Sequence, residues 1–486
     1  MDMIPPEVVV LGGGPAGCAA ARLLASWGHR VRIVTRPAAD VRLGVSLTPS
    51  CLKLFEAIGV TDAIDAAGFV RSSGNTVWWA SDEPRVEAFV QGRRGWQVHG
   101  HRLDEILLGE AARAGATIER RVVREREAND LLSSSDFTLD CSGRAGILAR
   151  AMRLRRYDKG PRTIALVAEW RRDSPWPVPD DSHTLVESYA TGWAWSIPVA
   201  SSARPQGPRT APSVRHVAVM VDPQRSELAR GAAARDVYEA EILKTRVFSA
   251  LTSEASLVAG PWGWDASTYR STRYAGDGWL LAGDAGSFID PLSSAGVKKA
   301  LASGWLAAIV AHTCITRPEM RTHALEFFTE RESQIEAECS RASRRFLAAA
   351  APTHRHPFWA DRAEVVGPEG EPGSLEDGSA IPAAFDRLRR ASALSLRRNP
   401  GLRVESRPAV AGREIVLQAR IITQDCQDGV RYVRNVDVLS LVDMAASQAQ
   451  VGDLFNAYCD RLAPVELPDF LYALATAVAQ GWLVAE

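Results

Sequence analysis

A short apolar run from Val8 to Leu11 stops at Gly12-Gly13-Gly14-Pro15-Ala16-Gly17 and resumes as an Ala-rich stretch through about Trp27. Strand, glycine turn and helix in that order specify a dinucleotide-binding unit. Gly12 allows the tight turn, Gly14 lets a pyrophosphate approach the backbone, and Gly17 lets helix pack on strand. The helix N-terminus at Pro15 and Ala16 faces the phosphates. A second strand is expected at Val31 to Val34, and its end is where such units place an acidic residue for the ribose. Thr35 stands there instead, with Arg36 beside it. Threonine can still make one hydrogen bond, so this contact is weakened rather than abolished.

With 486 residues and 46% hydrophobic content, the chain can bury one large core and a smaller one, so two or three modules are expected. A formal net charge of −1 excludes a globally basic nucleic-acid binder. The cysteines, Cys18, Cys51, Cys141, Cys314, Cys339, Cys426 and Cys459, are scattered and lack any CxxC spacing. They read as reduced thiols in a cytoplasmic protein, and no metal site is expected. Neither a secretion signal nor a long uncharged apolar stretch is evident, so no membrane partner is expected.

Three further segments narrow the dinucleotide fold. Gly44-Val45-Ser46-Leu47-Thr48-Pro49 reads as a loop before a helix through Leu54 and Ile58. Asp140-Cys141-Ser142-Gly143-Arg144 follows an apolar strand. Leu280-Leu281-Ala282-Gly283-Asp284-Ala285-Gly286 leads on to Asp290 and Pro291. Together they resemble the p-hydroxybenzoate-hydroxylase-like flavoproteins, which implies FAD as cofactor, with Ser46 in its loop and Asp284 on the ribityl chain. Physically, a strand ending in Gly283 and Asp284 offers one carboxylate to hydroxyl groups. Pro291, Ser294, Ala295 and Gly296 then shape a loop of free backbone amides before a helix starting near Val297. One departure stands out: the arginine that these flavoproteins place four residues before an aspartate falls, counting back from Asp104, on Gly100. His99, His101 and Arg102 flank that gap, and which of them takes over the flavin contact is left open, with Arg102 counted among the expected cofactor-binding residues.

Trp193-Ala194-Trp195-Ser196-Ile197-Pro198 resembles the signature that flavin-dependent halogenases place between flavin and substrate. The two indoles, two residues apart on a strand, point to one face. The resemblance spans roughly residues 6 to 360, with Arg345, Phe346, Phe358 and Trp359 similar to the family's substrate-covering helices. Two family residues do not transfer. No lysine occurs between Lys53 and Lys159, and Ser293 stands after Pro291-Leu292 where tryptophan halogenases have glutamate. Oxygen transfer from a reduced flavin is then the natural alternative to halogen transfer, with Trp78 and Trp79 lining the interval without lysine. Trp193, Trp195, Glu187 and Ser293 are the catalytic candidates, and Glu187, His99 and His101 are the acid–base candidates near the roof.

The fold class expected is α/β: a Rossmann-like FAD-binding domain (1–160 and 276–330), an inserted antiparallel substrate-roof sheet (161–275), a helical cover and linker (331–400), and a small winged-helix-like α+β module (401–486). The roof strands are expected at Thr163–Glu169, Thr184–Tyr189, Trp193–Pro198, Val214–Val221 and Tyr269–Arg273. Gly367, Pro368, Gly370, Pro372 and Gly373 mark the linker, and an Arg-rich helix follows around Phe385 to Arg398. The module is read as a hairpin (Glu414–Thr423 and Val430–Val433, turning at Asp428 and Gly429) followed by helices near 437–446, 451–462 and 467–480, the last closed by Gly481. By pattern it resembles PqqD-type modules that bind leader peptides. The whole resembles the flavoprotein monooxygenases that hydroxylate a peptidyl tryptophan during maturation of tryptophylquinone enzymes such as quinohemoprotein amine dehydrogenase. This implies a peptide or protein substrate, molecular oxygen, and electrons from NAD(P)H or a separate flavin reductase. A halogenase of an aromatic substrate and a non-catalytic peptide-binding chaperone are the alternatives.

Overall fold

The computed structural model describes residues 7–37, 43–158, 160–199, 214–363, 380–390, 396–423 and 426–485. The chain forms two compact units, Met1–Val366 and Gly367–Glu486. The proposed linker residues Gly367 to Gly373 lie outside the described residues, as does Lys159.

In the first unit, Glu7–Leu11 pairs in parallel with Arg30–Thr35 on one side and Phe137–Asp140 on the other. Thr117–Arg120, Trp279–Leu281 and Ala275–Gly276 complete a six-stranded sheet. Val8, Val9, Val10 and Leu11 are fully buried, as expected of a parallel sheet covered on both faces. The helix Pro15–Ser26 packs on the long helix Gly296–Thr316. A Cβ at Gly304 would lie 2.2 Å from the Ala16 carbonyl oxygen, so this helix crossing depends on a glycine. Gly296–Thr316 is also the one described helix long and apolar enough to cross a membrane, and 67% of its apolar window is buried within the fold.

A seven-stranded sheet forms the roof, in the order Ser256–Asp265, Ile164–Arg171, Val214–Val221, Gly192–Val199, Thr184–Tyr189, Gly74–Trp78 and Arg85–Ala88. Four of its strands match the expected ones. Tyr269–Ser271 does not join it and pairs with Arg155–Tyr157. Its expected place is taken by Ser256–Asp265, where Gly260, Pro261 and Gly263 obscure the alternation. Residues 74–88 also enter the roof, through a parallel pairing of Gly74–Trp78 with Thr184–Tyr189. Gly44–Leu47, expected as loop, is a strand in a small sheet with Gly95–His99 and Val70–Ser72.

In the second unit, Val404–Ala411 and Glu414–Ile421 make the hairpin. The expected partner strand touches it through a single bridge between Ile421 and Val430, and its Tyr432–Val433 pairs instead with Val436–Asp437. The Arg-rich helix spans Ala380–Arg390, and Leu396–Arg398 is instead a strand paired with Leu483–Ala485. Helices Val438–Ala445, Val451–Arg461 and Leu467–Ala479 follow. They enclose a core that includes Leu441, Leu454, Phe470 and Leu474, and Gly481 has the left-handed φ of 68° that a helix C-terminus favours.

Candidate active site

The glycine turn is built for close approach on one side and open on the other. Gly12 has φ 107°, and a Cβ there would lie 2.3 Å from the Cys141 carbonyl oxygen, while one on Gly17 would lie 2.0 Å from the Gly12 oxygen. Gly14, directly before the helix at Pro15, has nothing within 4 Å of its would-be Cβ. The turn therefore leaves space in front of the helix N-terminus, where an anionic group is stabilised. Thr35 Oγ1 accepts from the Gly13 N–H at 3.1 Å, and Arg36 is exposed beside it. Asp140 braces the neighbouring turn by accepting from the Ser142 N–H and hydroxyl and from the Leu148 N–H.

Asp284 sits in the turn Gly283–Ala285, where Gly283 takes φ 61°. Its side chain is 31% exposed, and Lys299 Nζ lies 3.8 Å from Oδ1. Burial pushes its carboxyl pKa up, against the pull of Lys299, Arg144 and Arg155. Asp290 caps the turn Pro291–Ser293 by accepting from the Leu292 N–H. Ser294 has φ 48°, and Ala295 leads into the helix beginning at Gly296 and Val297. Ser293 is a turn residue here: its hydroxyl donates to the Asp290 carbonyl at 2.9 Å and accepts from the Ala295 N–H. That employment argues against the catalytic role assigned to it from sequence.

Cross-strand register decides which residues share the Trp face. Trp193 is opposite Met220, Trp195 opposite Ala218 and Ile197 opposite His216, and His216 is opposite Glu169. Trp193 is buried in a cluster with Phe358 and Trp359, against which Trp79 and Trp195 pack. Trp79 meets Trp193 at 6.3 Å and Trp359 at 5.5 Å between ring centroids, both edge-on. Trp78 turns to the opposite face, into the core with Leu185 and Tyr238, so only one of the two adjacent tryptophans lines the site. Phe288 and Leu347 join this aromatic cluster to a cavity of about 640 Å³, whose wall also carries Asp290, Arg344 and Arg362.

Glu187 is misplaced by the sequence reading. It lies opposite Ala194, away from the Trp face, and its carboxylate accepts from the backbone N–H groups of Arg246, Val247 and Phe248. It caps the helix Val247–Thr252 and is not free to act as acid or base. Burial raises its pKa while the three amides pull it down. Arg102 is also corrected: it is exposed, extends over the Phe69 ring at 5.5 Å and belongs to a surface groove with Ala63 and Glu105. His101 pairs with Glu105 at 3.1 Å on the same helix.

Of the three residues flanking Gly100, His99 is the one that turns toward the roof. Its ring lies 5.2 Å from that of His216, and His216 Nε2 is 3.5 Å from Glu169 Oε2. Sequence reading missed Glu169 and His216, because only the pairing of three strands brings them to His99. The trio has the residue types and proximity of a metal site. However, the Gly44 N–H donates to His216 Nδ1, which places the ring hydrogen on Nε2, toward Glu169, and opposes metal ligation at that atom. The trio is better suited to proton handling. Burial and the neighbouring His216 lower the His99 pKa, and the His216 hydrogen bond lowers that of Glu169.

A family model described as an FAD binding domain matches residues 6–303. The chain belongs to this FAD-binding family. The tryptophan 2-halogenase of Chondromyces crocatus is 28% identical over 344 residues, covering 66% of this chain and 64% of that protein. The chain thus spans just under two thirds of the length of this curated relative. Among solved structures, the flavin-dependent halogenase CmlS superposes with a TM-score of 0.74 at 20% identity, covering 99% of this chain and 96% of its own. The peptidyl tryptophan dihydroxylase QhpG superposes with a TM-score of 0.63 at 21% identity, covering 98% and 100%. The chain has the halogenase-like fold, and its FAD-binding domain makes FAD the cofactor.

The geometry suits that cofactor. The open face of Gly14 and the amides near Pro15, Ala16 and Gly17 would hold the pyrophosphate of FAD, and Thr35 the ribose. Asp284 would hold the ribityl hydroxyls, and the backbone from Pro291 to Val297 the ring. Ser46 accepts from the Thr184 hydroxyl at 3.0 Å, which joins this FAD-side strand to the roof.

Proposed function

We propose that this FAD-dependent enzyme substitutes an electron-rich aromatic ring held against Trp193, Trp195 and Trp79. The observation that carries the reading is the aromatic face itself, on the same side of the roof as His99, Glu169 and His216 and beside a cavity. Reduced FAD, when bound, supplies the activated oxygen from which the electrophile derives. Trp193 and Trp195 wall the ring and exclude water, and neutral His99 is the candidate acceptor for the proton that leaves the substituted carbon. Electrons come from NAD(P)H or a separate flavin reductase.

Halogenation has the broader support as the specific outcome, because the curated relatives are halogenases acting, in the case of the Chondromyces protein, on tryptophan. The sequence reading ranked it second. Hydroxylation of a tryptophan side chain in a peptide, as in QhpG, remains the second proposal on the strength of where the lysines stand. Lys53 is exposed on the helix Leu52–Ile58, Lys244 pairs with Glu241, Lys298 is exposed, and Lys299 is buried beside Asp284. None of these four lines the cavity beside the Trp193 cluster, and no lysine occurs between Lys53 and Lys159.

The protein, reduced FAD, oxygen and bromide are to be incubated with free tryptophan and with tryptophan-containing peptides, and the products weighed. Halogen isotope pairs support the first reading, and gains of whole oxygen atoms without halogen support the second. Unchanged substrates together with peroxide release would sink both.

A further inference from the structure

Only five lysines stand among the 57 basic residues of this chain, and two of them, Lys298 and Lys299, are adjacent at the start of the helix Gly296–Thr316. Lys298 is exposed, whereas the Lys299 side chain is 1% exposed. A buried ammonium is costly unless paired and hydrogen-bonded. Here Nζ donates to the Gly283 carbonyl at 3.0 Å and the Ser287 carbonyl at 2.5 Å, with Asp284 Oδ1 at 3.8 Å. Three donors diverging from one nitrogen suit two carbonyls and a carboxylate of a single turn, a set that the planar fork of arginine does not match. This accounts for lysine at this position in a chain that otherwise favours arginine.

The grip on the turn is two-sided. The Gly283 N–H donates to Ser303 Oγ at 2.8 Å, so one residue of the long helix holds the amide of Gly283 and another holds its carbonyl. Behind them lies Glu332, on the helix Arg321–Ala350. It is completely buried, with no well-formed hydrogen bond to either carboxylate oxygen. Burial pushes its pKa up, with Lys299 and Ser303 as the nearby groups that oppose the rise.

We propose that Lys299 is a positioning residue for FAD: it fixes the Gly283–Ser287 turn so that Asp284 presents its carboxyl group to the ribityl hydroxyls. The inference rests on the reading that Asp284 faces the ribityl chain. It is independent of which electrophile the enzyme delivers.

The test compares K299M, K299R, E332Q, the double variant K299M/E332Q and D284N, each as the full chain. FAD affinity is measured by quenching of flavin fluorescence on reconstitution, bound flavin by visible circular dichroism, and the apoprotein by thermal unfolding. K299M and K299R are expected to weaken FAD binding by about tenfold or more and to alter the visible dichroism, while E332Q stays within about threefold of the parent. The double variant removes the buried ammonium together with the buried carboxyl group behind it, so it serves if K299M fails to fold, and it is expected to show the same loss of affinity. Parental affinity and dichroism in the double variant would overturn the proposal, leaving Lys299 a purely structural group. A weakened D284N beside an unaffected double variant would overturn the role of Lys299 alone. An unaffected D284N would remove the reading of Asp284 and the proposal with it.

Discussion

The Gly44 N–H donates to His216 Nδ1 over 2.9 Å, joining the small FAD-side sheet to the middle of the roof. A Cβ at Gly44 would lie 2.7 Å from Ile197 Cδ1 and 2.9 Å from Val199 Cγ1, so the backbone reaches the ring only because no side chain intervenes. H216A leaves a buried amide without its acceptor and opens a cavity, and is expected to cost about 2–4 kcal/mol. In H216N the Oδ1 atom can stand close to where Nδ1 stood, and the loss should be less than about half as large. Denaturant unfolding at neutral pH measures both. Equal losses would mean that ring volume, not the hydrogen bond, holds the two sheets together.

Glu187 offers a sharper separation of structure from chemistry. Three backbone amides at the start of the helix Val247–Thr252 depend on it, and hydrogen bonds to a charged acceptor are the stronger kind. E187A should lose about 2–3 kcal/mol of stability. Its bound-flavin spectrum should match the parent, and its turnover per folded molecule should stay within about twofold. A large fall in turnover without loss of stability would return Glu187 to the catalytic candidates.

These two residues also show how far the sequence was legible. The glycine turn could be read because strand, turn and helix are contiguous, and Trp193 and Trp195 could be put on one face because alternation is local. Whether Glu187 shares that face depends on its pairing with Ala194, and the approach of Glu169, His216 and His99 depends on pairings between distant strands. No period within one segment reports such a register. The strand Val404–Ala411 was missed for a different reason. Pro408 argues against a strand, yet here it lies in a two-stranded hairpin, where an edge position tolerates a missing N–H.

The pair His29 and His312 makes stability pH-dependent. Nε2 of His29 lies 2.8 Å from Nδ1 of His312, so the rings share one hydrogen. Burial first, and the neighbouring ring second, lower the His29 pKa from 6.5 to about 4. Because the folded value lies below the unfolded one, the unfolded chain takes up the proton first on acidification. The stabilisation is therefore complete above about pH 6.5, fades as the pH falls toward 4, and levels off below that. Allowing for screening by solvent around this partly exposed ring, the loss should be about 1 kcal/mol. H29Q cannot titrate, so the stability difference between parent and variant should shrink over this window in denaturant unfolding. A difference that stays constant from pH 7 to 4 would show that His29 is not held neutral.

Gly14 and Gly17 separate the needs of the fold from those of the ligand. A methyl group on Gly17 would lie 2.0 Å from the Gly12 carbonyl oxygen, and its other near neighbours are the Gly12 carbonyl carbon at 3.1 Å and Cys141 Cβ at 3.2 Å. Backbone cannot yield as a flexible side chain can, so G17A is expected to lose several kcal/mol, about 3 or more, before any cofactor binds. A methyl group on Gly14 meets no protein atom within 4 Å, and the residue has φ −87°, which alanine adopts readily. G14A should therefore leave the apoprotein melting temperature within about 2 °C of the parent. It should nonetheless weaken FAD by about tenfold, because the methyl group enters the space through which the pyrophosphate approaches the helix N-terminus. Thermal unfolding of the apoprotein, set beside FAD titration, reads the two effects separately. Retention of parental affinity in a stable G14A protein would mean that the pyrophosphate does not pass over Gly14.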